Sequence, residues 1–71
     1  MSLESIDIKL KRLRHMMSEY KKTIEEAEDN LKKHKITREE YEKIEAKYQK
    51  KIDKVVGKIN KLNEKRKKLL E

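Results

Sequence analysis

From Leu3 to Leu31 the apolar side chains recur at alternating steps of three and four: Leu3, Ile6, Leu10, Leu13, Met17, Tyr20, Ile24, Ala27 and Leu31. A strand would need an apolar residue at every second position. This rhythm instead keeps one face of an α-helix apolar over about eight turns. A second stripe reads Tyr41, Ile44, Tyr48, Ile52, Val55, Ile59, Leu62, Arg66 and Leu69. Two successive steps of four, from Ile44 to Ile52, insert an eleven-residue stretch and relax the left-handed supercoil there. Composition agrees with long helices. Proline is absent, glycine occurs once, and 49% of residues are charged, which leaves a sheet without the turn residues its strands require.

Between the stripes, residues 32–41 read K-K-H-K-I-T-R-E-E-Y. Thr37 followed by Glu40 has capping-box spacing: the hydroxyl accepts from an early helical N–H and the carboxylate reaches back to the Thr37 N–H. Ile36 and Tyr41 flank the cap at hydrophobic-staple positions. Glu39 and Glu40 lie at the positive end of the coming helix dipole. Lys32, Lys33 and Lys35 lie at the negative end of the preceding one. The reading is a single all-α unit: helix 1 over about 3–33, a connection over about 34–37 and helix 2 over about 38–70.

Running the stripes in opposite directions pairs Leu3 with Leu69, Ile6 with Arg66, Leu10 with Leu62, Leu13 with Ile59, Met17 with Val55, Tyr20 with Ile52, Ile24 with Tyr48, Ala27 with Ile44 and Leu31 with Tyr41. The expected fold is therefore an antiparallel two-helix coiled-coil hairpin, each arm about 45 Å long at about 1.5 Å per residue. A single seam offsets little of the chain entropy of 71 residues, at roughly 1.5 kcal/mol per residue. Ile8, Met16, Val56 and Leu70 stay outside it. The expectation is a homodimer forming a four-helix bundle, with Ile8, Met16, Met17, Tyr20, Val56 and Leu70 at the oligomer interface. Gly57, in the middle of helix 2, is either a tolerated surface residue or a point of close helix approach or slight bending.

The sequence offers no catalytic, cofactor-binding or metal-ligating set, and no enzyme is expected. There is no cysteine. The only histidines, His15 and His34, fall in different elements without a partner at metal spacing. In Glu25-Glu26-Ala27-Glu28-Asp29 adjacent carboxylates diverge by about 100°, so they converge on no point. No serine has a histidine and acid arranged to activate it, and there is no glycine-rich phosphate loop. Tyr20, Tyr41 and Tyr48 lie on the stripes and read as core residues with their hydroxyls at the edge. Arg66 in a seam position reads as a snorkelling side chain or a register and partner selector. No run of about 18 apolar residues suggests a membrane span, and the default location is the cytoplasm. Met1-Ser2-Leu3 and Glu71 are given little functional weight.

The net charge of +7 is unevenly spread. Residues 1–16 and 57–71 carry ten positive and four negative charges, residues 17–56 eleven and ten. The antiparallel fold gathers the first group at the open end of the hairpin. Lys9, Lys11, Arg12, Arg14, Lys58, Lys61, Lys65, Lys67 and Lys68 are thus candidate polyanion-binding residues. Two functional readings follow. One is a self-associating structural or interaction protein, a scaffold or tether. The other is a small basic protein holding nucleic-acid phosphates nonspecifically through the open end; an acidic protein is a further candidate partner.

Residues 31–48, L-K-K-H-K-I-T-R-E-E-Y-E-K-I-E-A-K-Y, resemble the short helical SHOCT-like pattern and similar segments of small archaeal proteins. Leu31, Ile36, Thr37, Glu40 and Tyr41 match it, and His34 stands where that pattern usually has glycine. The resemblance covers about a quarter of the chain. It implies a helical turn used in oligomerisation or attachment, and no catalytic residues. It also asks His34 to end helix 1, a role suited to the left-handed backbone region.

Overall fold

A computed structural model describes residues 2–71. Two helices, α1 over Leu3–Lys32 and α2 over Arg38–Leu70, fold back on each other into a hairpin 52 Å long and 13–15 Å across. No strand occurs among the described residues. α1 is capped at its start. Ser2 is its N-cap, and the Ser2 hydroxyl accepts from the Ser5 N–H at 3.1 Å, satisfying one of the orphan donors of the first turn.

The reversal is built from backbone hydrogen bonds. The Lys35 N–H donates to the Asn30 carbonyl at 2.8 Å and the His34 N–H to the Leu31 carbonyl at 3.1 Å. This is the paired closure of a Schellman motif. It puts His34 in the left-handed region, at φ 59°. Glycine adopts that conformation freely, whereas a side chain bearing Cβ is strained in it. α1 ends at Lys32, one residue before the expected boundary, because the closure takes Lys33 as its cap. α2 then begins on the full capping box. Glu40 N–H donates to Thr37 Oγ1 at 3.2 Å, and Thr37 N–H donates to Glu40 Oε1 at 3.0 Å. The Thr37 N–H and hydroxyl both donate to the Glu40 carboxylate and hold it below the usual carboxylate range.

Among the described residues, five side chains form the buried core: Ile6, Leu10, Ala27, Ile52 and Val55. All five lie on the two apolar stripes, so the face that was apolar by spacing is the face the helices bury against each other. Most other stripe residues are half-buried, because only one partner helix covers them. The outermost expected layer is not closed. Leu3 is half-buried, but Leu69 is 51% exposed, since no further turn of either helix stands above it.

Arg66 occupies its seam position by leaving the seam. Its Nε donates to Asp7 Oδ1 at 2.8 Å across the hairpin, which carries the charge to the surface and ties the two arms at the open end. Gly57 is helical, exposed, and has nothing within 4 Å of where a Cβ would stand. Close approach is thereby ruled out within the hairpin. Gly57→Ala should stabilise the fold by up to about 1 kcal/mol through backbone entropy alone. Urea unfolding followed by helical circular dichroism measures this, and a lower midpoint would mean that another chain packs against this site.

Candidate interaction surfaces

The two helices leave the seam open along two flanks, and these differ in charge towards the open end. On the first flank, Lys9 and Arg12 of α1 and Lys58, Lys61 and Lys65 of α2 surround a groove of about 360 Å³ floored by Leu13 and Leu62. No carboxylate lines it. Its origin on α2 is a simple rule of sequence. Each stripe residue from Ile44 to Leu69 is immediately preceded by a lysine: Lys43, Lys47, Lys51, Lys54, Lys58, Lys61, Lys65 and Lys68. One residue is a rotation of about 100°, so these lysines form a band about 100° wide on one side of the seam along nearly the whole helix.

The second flank carries the residues that follow each stripe position. Asp7, Arg14, Asn63 and Arg66 meet there beside buried Leu10. Further along α1, Met17 lies with Arg14 and Lys21. Val56 and Leu70 stand seven residues to either side of Asn63 and so share its side of α2. Towards the turn, the Tyr41 hydroxyl donates to Glu45 Oε2 at 2.7 Å and lies 3.3 Å from Glu28 Oε1. This joins α1 to α2 through an acidic pair.

The hydrogen bond to Glu45, with some burial and the charges of both carboxylates, pushes the Tyr41 phenol up from 10 to about 12. Because the neutral form is the one favoured in the fold, the contribution to stability is complete below pH 10. It is lost as pH rises through the folded value, where the unfolded chain has already released its proton. The difference between phenolate titrations of the native protein and Tyr41→Phe should show a midpoint near 12. A difference midpoint at 10 would mean that the phenol is free.

The nine candidate polyanion-binding residues therefore do not form one surface. Lys9, Arg12, Lys58, Lys61 and Lys65 are brought together, and Lys68 continues their row. Arg14 lies on the opposite flank, while exposed Lys67, which follows stripe residue Arg66, faces outward from α2. Lys11 faces outward from α1, next to buried Leu10. Lys43, Lys47, Lys51 and Lys54 belong to the basic row but were missed by counting charge at the chain ends; their spacing relative to the stripe was the available signal. The candidate oligomer residues also divide. Met17, Val56 and Leu70 fall on the second flank. Ile8 lies beside Lys9 and Arg12 on the first, and Met16, seven residues from Lys9, shares that side. Ile8 is 57% exposed, Leu70 60% and Val56 39%.

Tyr20 and Tyr48 form a tilted pair with ring centroids 5.8 Å apart. The Lys51 ammonium stands 5.5 Å from one ring and 5.1 Å from the other, and Lys47 stands 5.7 Å from Tyr48. The rings are thus engaged with each other and with cations. In the acidic run, Asp29 accepts from Lys33 at 2.8 Å, and this hydrogen bond holds its carboxyl below the usual range. Among the described residues no group of three or more His, Cys, Asp or Glu side chains is placed to hold a metal, and no helix is long and apolar enough to cross a membrane. Comparison with known proteins gave no matching family model, no matching curated protein and no matching solved structure.

Proposed function

We propose that this chain is a non-enzymatic interaction protein, a helical hairpin that self-associates and serves as a scaffold or tether. The observation that carries the reading is the thinness of its core. Among the described residues only five side chains are buried, while Ile8, Val56, Leu69 and Leu70 remain exposed. A second hairpin laid along an open flank buries part of what one hairpin leaves in water, at roughly 25 cal/mol per Å². The second flank suits a copy of the same chain better. Met17, Val56 and Leu70 lie there, and a twofold contact through it does not gather the lysine row.

Sedimentation equilibrium over a range of micromolar concentrations tests this. The expected result is a mass approaching twice the 8.7 kDa of one chain. Val56→Glu should return it to one chain with helicity kept, and Ile8→Glu should not. A folded, compact species of single-chain mass at every concentration overturns the reading.

A further inference from the structure

We infer that the lysine-rimmed groove is a docking site for an acidic amphipathic helix of a different protein, and that this site is separate from the surface proposed for self-association. Three features select that occupant. The floor of Leu13 and Leu62 lies between cations on both rims. It can accept apolar side chains from one face of a helix while carboxylates flanking that face reach Lys9 and Arg12 on one side and Lys58, Lys61 and Lys65 on the other. This is the arrangement of a helix bound in a groove, with apolar anchors and charged edges.

Next, the row from Lys47 to Lys68 keeps the rhythm of the apolar stripe. It therefore matches a rod lying along the hairpin rather than a ligand crossing it. That row spans about 32 Å at about 1.5 Å per residue, so it suits a partner helix of about three heptads. Because Lys9 and Arg12 stand only near the open end, and Glu26 lines the same flank as Lys47 nearer the turn, such a helix should carry carboxylates on both edges only in the heptad at the open end and elsewhere only on the edge facing α2.

Finally, the aromatic rings that could have stacked on nucleic-acid bases are occupied. Tyr20 and Tyr48 pack on each other beneath Lys51, and a phosphate backbone would gain nothing from the leucine floor. Electrostatic complementarity favours an anionic occupant for this flank over a second copy of a chain whose net charge is +7.

The test uses the full chain and a fluorescent 21-residue probe with Leu at heptad positions a and d and Glu at e and g. Its own carboxylates oppose self-association. Three other probes carry comparable negative charge: poly-glutamate, a single-stranded DNA and a duplex DNA. Anisotropy at 150 mM NaCl should show binding of the Leu/Glu probe, accompanied by added helical dichroism. Combining Lys58→Gln, Lys61→Gln and Lys65→Gln should weaken it about tenfold. Combining Lys11→Gln and Lys67→Gln should change it less than about twofold, since exposed charge pairs outside the groove contribute little. Carbodiimide coupling should join probe carboxylates to Lys61. Absence of binding even at 50 mM NaCl overturns the inference, as does equal loss in both variants. Poly-glutamate or either DNA binding as tightly as the Leu/Glu probe also overturns it, because the site would then be a general polyanion or phosphate surface.

Discussion

Ile52→Ala should cost about 3 kcal/mol and leave the chain largely unfolded at dilute concentration near room temperature. Ile52 is 6% exposed and lies mid-way along α2, where fraying cannot relieve the loss. Removing its outer carbons forfeits their transfer free energy and opens a void, together 2–5 kcal/mol for an aliphatic residue cut to alanine. With only five buried side chains among the described residues, no neighbouring layer holds a reserve against that loss. A chain of this size supplies about 3–5 kcal/mol in total from such a core. Leu69→Ala, by contrast, should move stability by less than about 0.5 kcal/mol, because Leu69 is half in water already. Thermal melts followed by circular dichroism compare the two. The Ile52→Ala melt should also rise with protein concentration if association supplies the missing burial. Equal effects from both substitutions would mean that the seam is not where stability resides.

The difference between those two leucine-like positions also marks how far the sequence could be read. Spacing alone identified both stripes, because a side chain's azimuth on a helix follows from its number. The five buried residues all come from those stripes. The turn was legible for a similar reason: Thr37 and Glu40 are three residues apart, and a capping box needs little beyond local geometry. Depth of burial was not legible. Leu69 and Ile52 have the same periodic standing, yet one is open and the other covered, because burial depends on what lies across and above. Ser2 was passed over for its nearness to the chain end, although a serine preceding a periodic run is a cap signal.

The candidate surfaces show the same division between azimuth and depth. Treating charge as a property of the two chain ends grouped Arg14 with Lys9 and Lys61, although they face opposite flanks. Reading each lysine relative to the stripe residue after it would have separated them and added Lys47, Lys51 and Lys54. Arg66 could not be resolved from spacing, since its periodic position is in the seam while its guanidinium reaches Asp7 at the surface. Only the length and flexibility of the side chain, acting on a partner 59 residues away, decide that.

Tyr48→Ala should cost about 2 kcal/mol, while Tyr48→Phe should be nearly silent. The Tyr48 ring is half-buried. Removing roughly 50–100 Å² of covered apolar surface at about 25 cal/mol per Å² accounts for about 1–2 kcal/mol. The tilted contact with Tyr20 contributes a further 0.5–1.5 kcal/mol of the kind measured for aromatic pairs. The ammonium of half-buried Lys51, 5.1 Å from the ring centroid, contributes less, about 0.5–1 kcal/mol, the range for cation–ring contacts open to water. Part of the loss is recovered, since this edge of the seam is open to water and the site can relax around the smaller side chain. Phenylalanine keeps the ring, the contact and the cation. If packing of the rings is what joins the arms here, Lys51→Gln should therefore cost well under half of what Tyr48→Ala costs, and a double-mutant cycle between Tyr20 and Tyr48 should show coupling of about 1 kcal/mol. A larger effect from Lys51→Gln than from Tyr48→Ala would instead assign the contact to the lysine and make the aromatic pair incidental.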